Sequence, residues 1–222
     1  MRLLITDVTE MSGGNFCVAG WSAQSSSMVR PLPNGSNWTL NGLAVHGISP
    51  GATVDFVPTG AQSTGAFPHQ TEDKIVDANQ ISVQNIATPA WLGPTSAARA
   101  ATVQEAFNGH VHHNSQFRGR RQGVHVANGS QTRSLWGIEI PRQNIRFVTE
   151  FDKLKAVVVD ADHEYIMAVS SKALKEAFRA GGDANVSALL PAQGGLHVRL
   201  GLARAWGAHP DKCYVMVNGV FW

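Results

Sequence analysis

Four arginines and four histidines lie between Ala106 and Ile138, in a stretch that contains no aspartate or glutamate. By contrast, residues 1–105 hold four Lys or Arg against seven Asp or Glu, and residues 139–222 hold ten against nine. Guanidinium groups bind phosphate oxygens through paired hydrogen bonds, and no acid within the stretch cancels their field. We therefore predict that its arginines contact the phosphates of a polyanion. They are Arg118, Arg120, Arg121 and Arg133.

One aromatic residue adjoins the arginine cluster, and another lies in an isolated loop. Phe117 directly precedes Arg118-Gly-Arg-Arg121 and is predicted to stack on a nucleobase. Trp38 lies in a segment rich in Gly, Asn and Ser without apolar periodicity, which predicts an exposed second stacking residue. Arg30, at the end of the predicted third strand, is expected to face the same groove. The other aromatic candidates are Trp21, Phe56, Trp91 and Trp136.

Each of these candidates also has a structural interpretation. The arginine cluster could be a solvated loop whose charge serves solubility, since charge runs usually lie in solvent. Trp38 could close one mouth of a barrel, because tryptophans are highly buried on average. Arg30 could form a surface salt bridge. The sequence leaves both interpretations open.

Two clusters contain residue types that bind metals. His110, His112 and His113 could hold Zn²⁺, but no cysteine or acid lies nearby to complete a set of four ligands. A pH-dependent contribution to phosphate binding is the alternative. Asp160-Ala-Asp-His-Glu164 could hold Mg²⁺, as the carboxylates of two-metal nucleases do. Because this cluster lies between two predicted strands, where Asp is favoured in turns, we predict a turn and no metal site.

The chain contains no Gly-x-Ser-x-Gly, Walker, His-Glu-x-x-His or dinucleotide-binding glycine motif. We therefore predict no catalytic residues and no cofactor. Cys17 and Cys213 are too few for a disulfide framework and indicate thiols in a reducing cytoplasm. No apolar run reaches the roughly 18 residues of a membrane span, so no membrane association is expected.

The elements that must position these residues are mostly short β-strands. In the first half the candidates are Leu3–Ile5, Phe16–Trp21, Met28–Pro31, Ala52–Val57, Lys74–Asp77 and Ile81–Ile86. In the second half they are Trp136–Ile140, Ile145–Val148, Lys155–Asp160, Tyr165–Val169, His197–Leu202 and Tyr214–Phe221. Short strands separated by Gly and Pro turns predict a sandwich or a barrel.

One helix is predicted in each half: Ala97–Phe107 with Ser96 as its N-cap, and Ser171–Ala180 with Ser170 or Ser171 as its cap and Gly181-Gly182 as its stop. After the first helix, turn-forming residues without periodicity predict a long loop or a flexible hairpin. Short strands with one helix in about a hundred residues are typical of an OB-like barrel. We therefore predict a mainly β protein with a few short helices and two tandem OB-like β-barrels. The predicted segments are barrel 1–108, basic loop 109–134 and barrel 135–222.

Three segments resemble the prokaryotic dual OB-domain proteins. They are Val8-Thr-Glu-Met-Ser-Gly-Gly-Asn-Phe-Cys-Val-Ala-Gly20, Met28-Val-Arg-Pro-Leu32, and Leu200-Gly-Leu202 with Cys213-Tyr-Val-Met-Val-Asn-Gly-Val-Phe221. These strand-and-turn segments lie at both ends of the chain, so the resemblance extends over the whole architecture. It implies two tandem OB barrels and a nucleic-acid ligand, in a bacterial defence or DNA-transaction system. It implies no role for an individual residue.

We therefore predict a non-enzymatic, cytoplasmic nucleic-acid-binding protein that binds single strands or structured ends as a component of a larger bacterial system. Two alternatives remain. The first is a protein-interaction module that docks a partner enzyme, with the basic loop on an acidic surface. The second is a metal-dependent nuclease that uses Asp160, Asp162 and Glu164. The net charge of +2 argues against tight binding to long duplexes and keeps the protein partner open.

Overall fold

The computed structural model describes residues 1–86, 99–130, 132–161 and 163–222. The chain divides into two compact units, Met1–Ala98 and Arg99–Trp222. The predicted basic loop 109–134 therefore falls within the second unit. The predicted candidates Trp91, Ser96 and Asp162 lie outside the described residues.

The N-terminal unit contains a closed β-barrel. Its strands are β1 (Arg2–Glu10), β2 (Asn15–Ser22), β3 (Ser27–Pro33), β4 (Trp38–Thr39), β5 (Ala52–Pro58) and β6 (Asp73–Ile86), and its described α-helix is α1 (Leu40–Val45). The five longer strands follow the order β1-β5-β6-β3-β2, and β1 closes the barrel by pairing with β2. β3 and β6 are parallel. Three consecutive strands, a helix and two further strands in a five-stranded barrel form an OB fold.

Alternate residues of these strands fill the barrel, as a period of two predicts for half-buried strands. The buried apolar core comprises Leu3, Ile5, Val8, Phe16, Val18, Val29, Trp38, Leu43, Ile48, Ala52, Val54, Phe56 and Val76. Gly20 lies where β1 and β2 approach closely. A Cβ atom there would be 2.7 Å from the Leu4 carbonyl oxygen, so a larger residue would push the two strands apart.

The C-terminal unit begins with α2 (Val103–Ala106), β7 (Val111–His112), β8 (Ser115–Phe117), β9 (Arg120–Gln122) and β10 (His125–Ala127). Among the described residues, the predicted helix Ala97–Phe107 is limited to α2, whose N-cap is Thr102. The prediction of a long irregular loop is wrong, because the short strands are held by pairing with the barrel rather than by a periodicity of their own. β8 and β9 do form a hairpin.

The barrel of this unit consists of β11 (Leu135–Pro141), β12 (Ile145–Glu150), β13 (Lys153–Val159), β14 (Glu164–Val169), β15 (Gly195–Leu202) and β16 (Lys212–Phe221), with α3 (Lys172–Ala188) between β14 and β15. The strand order is β11-β15-β16-β14-β13-β12, and β14 and β16 are parallel. A single 3-10 turn separates β11 from β12, so together they act as one bent first strand that pairs with both β15 and β13. This unit is therefore a second OB-like barrel.

The segment β7–β10 completes this barrel between two of its strands. β14 and β16 pair at Ala168–Met216 and Val169–Val217. The preceding part of β14 pairs with β9, and the preceding part of β16 pairs with β10. Apolar residues of the segment join the barrel core, among them Val111, Val124 and Val126. We call this segment, residues 109–134, the insert.

The helix α3 begins where the sequence predicts, with the Ser171 hydroxyl accepting the Leu174 N–H. It extends beyond the predicted stop to Ala188. The two glycines predicted to end the helix interrupt it instead: the backbone angles of Gly181 and Gly182 are not helical, and Gly182 has φ +72°. None of the described helices has the length and apolar character needed to cross a membrane.

Candidate nucleic-acid interface

The β8–β9 hairpin presents an aromatic ring and a cation at its tip. Its two-residue loop consists of Arg118 and Gly119, which have φ +49° and +80°. Positive φ at both positions matches the twist of paired strands, but only glycine adopts it without strain. Phe117 is 62% exposed, and the Arg118 guanidinium lies 5.2 Å from its ring centroid. The hairpin therefore displays a cation and a ring face side by side.

A second group of cations surrounds one carboxylate at the base of this hairpin. Arg120 Nε donates to Glu164 Oε1 at 2.6 Å, and Arg146 donates to the same oxygen from β12 at 2.7 Å. Burial raises the pKa of Glu164, but the hydrogen bonds and charges of the two arginines outweigh this and lower it overall. With two cations and one anion, the cluster carries one net positive charge.

Arg121 lies on the other side of β9 from Arg120. Its guanidinium is 5.8 Å from the ring centroid of Tyr165, a core residue of β14. His113 is held in the same positive environment: burial and the charges of Arg121 and neighbouring histidines lower its pKa. An anion bound here would favour the protonated imidazole.

Arg133 contacts a different part of the unit. Its guanidinium carbon lies 3.8 Å from the ring centroid of Trp136, and it donates a hydrogen bond to the Asn108 side chain. Asn108 in turn donates to Thr132 at 3.3 Å. The sequence groups Arg133 with the hairpin arginines, whereas its described contacts anchor it at the start of β11.

Trp38 is a core residue. The prediction that it is exposed is wrong, because the side chain is 3% exposed and its Nε1 donates to the Pro31 carbonyl at 2.8 Å. The ring makes edge contacts with Phe56 and His46. Packing over the barrel core, the alternative interpretation, is the one observed.

Arg30 is also buried rather than facing a groove. Its Nη1 donates to Asp73 at 2.6 Å, and both side chains are nearly inaccessible to solvent. Its neighbours on the same face of β2 and β3 are buried too, namely Ala19, Trp21, Met28 and Leu32. In OB barrels, oligonucleotides bind on the face of strands 2 and 3. That face of the N-terminal barrel is not exposed, so the candidate interface lies on the C-terminal barrel.

The predicted acidic turn has structural partners. Asp160 accepts the backbone N–H of Val103 through one oxygen and that of His163 through the other, each at 2.8 Å. The first contact satisfies a free N–H at the start of α2. Glu164 is engaged by the two arginines described above. Within the described residues, no group of three His, Cys, Asp or Glu side chains could hold a metal ion.

A set of aromatic residues that the sequence did not reveal as a group lies partly in the insert and partly beside it. Trp206 and His209 in the loop before β16, Tyr214 on β16, His125 on β10 and His112 on β7 form what we call the aromatic row. The sequence signal for Trp206 is its position in Arg204-Ala-Trp-Gly-Ala-His-Pro210, where the glycine and the proline predict a loop. A tight turn brings His209 beside Trp206, and strand pairing places Tyr214, His125 and His112 side by side.

Comparison with protein-family models agrees with this architecture. The family model described as "Dual OB-containing domain" matches residues 1–220. No curated protein matches the chain. A chain from the crystal structure of the tetrameric p202 HIN2 is 9% identical, with a TM-score of 0.32, and the match covers 100% of this chain and 89% of that one.

Proposed function

Since the chain belongs to the family of dual OB-containing domains, we propose that it binds single-stranded nucleic acid through its C-terminal barrel. OB barrels bind oligonucleotides on strands 2 and 3 and the adjoining loops. In this barrel β14 occupies the place of strand 3, and β9 extends its edge in parallel register. The insert thus lies beside the part of an OB barrel that commonly contacts nucleic acid.

The exposed pair at the hairpin tip, Phe117 and Arg118, is the observation that carries the proposal. Arg118 forms no ion pair with any residue that the structure describes, so its charge is available to a phosphate. Phe117 offers an open ring face to a base. Stacking and phosphate contact together are how non-sequence-specific single-strand binders work.

The other arginines of the C-terminal barrel contribute to this proposal in different ways. Arg120 and Arg146 present their shared net positive charge to the phosphate backbone, while Arg121 positions β9 by packing on Tyr165. Arg133 is a separate predicted phosphate contact beside Trp136. Trp38 and Arg30 have no part in it, because both are buried. A place in a bacterial defence or DNA-transaction system stays a prediction from the sequence resemblance.

The test is a fluorescence-anisotropy titration with labelled oligo(dT), oligo(rU) and a duplex, each of about 12 nucleotides per strand, a length within the site size of an OB fold. We expect the single strands to bind more tightly than the duplex. In the variant Arg118→Ala/Arg120→Ala, affinity should fall, and the salt slope should flatten by roughly 0.7 per lost phosphate contact.

The matched control is Lys172→Ala/Lys175→Ala, which removes the same charge from α3. It should change affinity much less than the hairpin variant. Unchanged affinity and slope in the hairpin variant would show that the insert is not the phosphate-binding element.

A further inference from the structure

The aromatic row runs without interruption across one loop and three strands. The ring centroids of Trp206 and Tyr214 are 5.4 Å apart, and His209 lies edge-on to both at 5.1 and 5.4 Å. From Tyr214 the row continues to His125 and then to His112, with 5.8 Å at each step. The last three residues are directly paired across β16, β10 and β7, so the sheet fixes their order.

The loop that carries Trp206 is anchored to the insert. A tight turn closes it, with the His209 N–H donating to the Trp206 carbonyl at 2.7 Å. Asn128, just after β10, donates its side-chain amide to Pro210 and its backbone N–H to Asp211, at 2.9 and 2.8 Å. These bonds hold the ring in place before any ligand arrives, which lowers the entropy cost of binding.

The row is open at its loop end and adjoins the hairpin. Trp206 is 48% exposed, although an indole normally contributes to a core. Asn114, the residue before β8, donates to the Tyr214 hydroxyl at 3.2 Å and accepts from Lys212 Nζ at 2.9 Å. The same side chain thus links the aromatic row to the hairpin that carries Phe117 and Arg118.

The charges near the exposed end suit a polyanion. Arg204 and Lys212 flank the loop, against the single acid Asp211. Rings beside an excess of cations match the alternating bases and phosphates of a single strand.

We propose that the exposed loop end of the aromatic row is a nucleobase-stacking surface, with Trp206 as its outer ring, the buried His125 supporting the row from within the sheet, and Lys212 as its phosphate contact. This proposal rests on the proposed single-strand binding and adds a second contact region to the hairpin. A single bound nucleic-acid strand would then run from Phe117, past Asn114, to Trp206.

The test separates stacking from charge by comparing oligo(dT) with an abasic oligodeoxynucleotide of the same length, which has the phosphates but no bases. We expect wild-type protein to bind oligo(dT) more tightly. Trp206→Ala should weaken oligo(dT) binding about 5- to 160-fold, the range expected for loss of one stacked base, and leave abasic binding unchanged. Trp206→Phe should restore part of the affinity. Intrinsic fluorescence should be quenched by oligo(dT) in the wild type and much less in Trp206→Phe.

Trp222→Ala is the matched control, because Trp222 is 52% exposed and lies outside the row. It should leave both affinities unchanged. If Trp206→Ala binds oligo(dT) as the wild type does while the hairpin variant does not, the stacking surface is refuted and the proposed function stands. If the wild type binds neither oligonucleotide, both proposals fail. Thermal unfolding of each variant shows whether the barrel is intact.

Discussion

Arg120 and Glu164 are directly paired residues of two parallel strands, β9 and β14, and Arg120 Nε donates to the Glu164 carboxylate at 2.6 Å. The pair therefore has two effects. It fastens the insert to the barrel, and it neutralises part of the charge that the insert would otherwise present to a phosphate.

Replacing Glu164 with Gln removes the acid shared by Arg120 and Arg146. We expect tighter binding of oligo(dT) and a salt slope steeper by up to about 0.7, since one more cation is left for phosphate. The pair is partly exposed, so the free energy of unfolding should change by less than about 1 kcal/mol. Titrations at several salt concentrations measure the affinity and the salt slope.

Glu176→Gln, which breaks the Lys172–Glu176 pair on α3, is the control and should leave affinity unchanged. Equal affinities for the Glu164 variant and wild type would show that these arginines do not meet the ligand.

Arg118 lowers the stability of the β8–β9 hairpin but exposes a positive charge at its tip. Its φ of +49° is unfavourable for a residue with a Cβ atom, so Arg118→Gly should be more stable than Arg118→Ala by about 0.5–1 kcal/mol. Both variants should bind oligo(dT) more weakly than the wild type, because both lose the guanidinium. Urea unfolding and anisotropy on the same three proteins test this. Weaker binding by Arg118→Ala alone would point to hairpin distortion instead of charge loss.

Trp38 should matter for stability and not for binding. Trp38→Ala removes a buried ring and leaves the Pro31 carbonyl without its indole donor, so we expect a loss of about 3–5 kcal/mol in unfolding free energy. The exposed Trp222→Ala should cost less than about 0.5 kcal/mol. Denaturant unfolding gives both values. A stable Trp38→Ala protein with impaired oligonucleotide binding would contradict the core assignment.

His197 should make the C-terminal barrel sensitive to acid. Burial and the charges of Arg199 and Arg99 lower its pKa from 6.5 to about 3, so the folded protein holds it neutral. The unfolded chain binds the proton more readily. Stability is therefore complete above pH 6.5 and is lost as the pH falls from 6.5 toward 3, by up to about 1.4 kcal/mol per unit.

The pH window from 6.5 to 5 lies above the ordinary pKa of Glu164, and His113, whose pKa is also lowered, contributes equally to wild type and variant, so the difference between the two proteins reports His197. His197→Gln keeps a hydrogen-bond acceptor for Arg199, whose Nη1 lies 3.4 Å from His197 Nε2, and removes the titrating group. Unfolding free energies measured across this window should show a flatter profile for the variant. A profile identical to wild type would assign the acid sensitivity to other groups.

Local sequence patterns were sufficient to predict most strands and both barrels. Val54 and Phe56 alternate with polar residues and form β5, and the Ser171 cap starts α3 where expected. The insert was less predictable, because three-residue strands such as β9 have no periodicity of their own. They exist because β14 and β16 separate and offer unpaired edges. Such long-range pairing leaves no local signal.

The candidate site divides in the same way. The sequence by itself determined the charge contrast of residues 106–138, the Phe117-Arg118 neighbourhood and the alternating barrel strands, because these depend on adjacent residues alone. Only the tertiary structure decided which cations stay available. Arg30 is neutralised by Asp73 and Arg120 is shared with Glu164, partners 43 and 44 positions away. It also placed Trp38 inside a barrel and Trp206 at its surface, since burial depends on which distant strands close around a side chain.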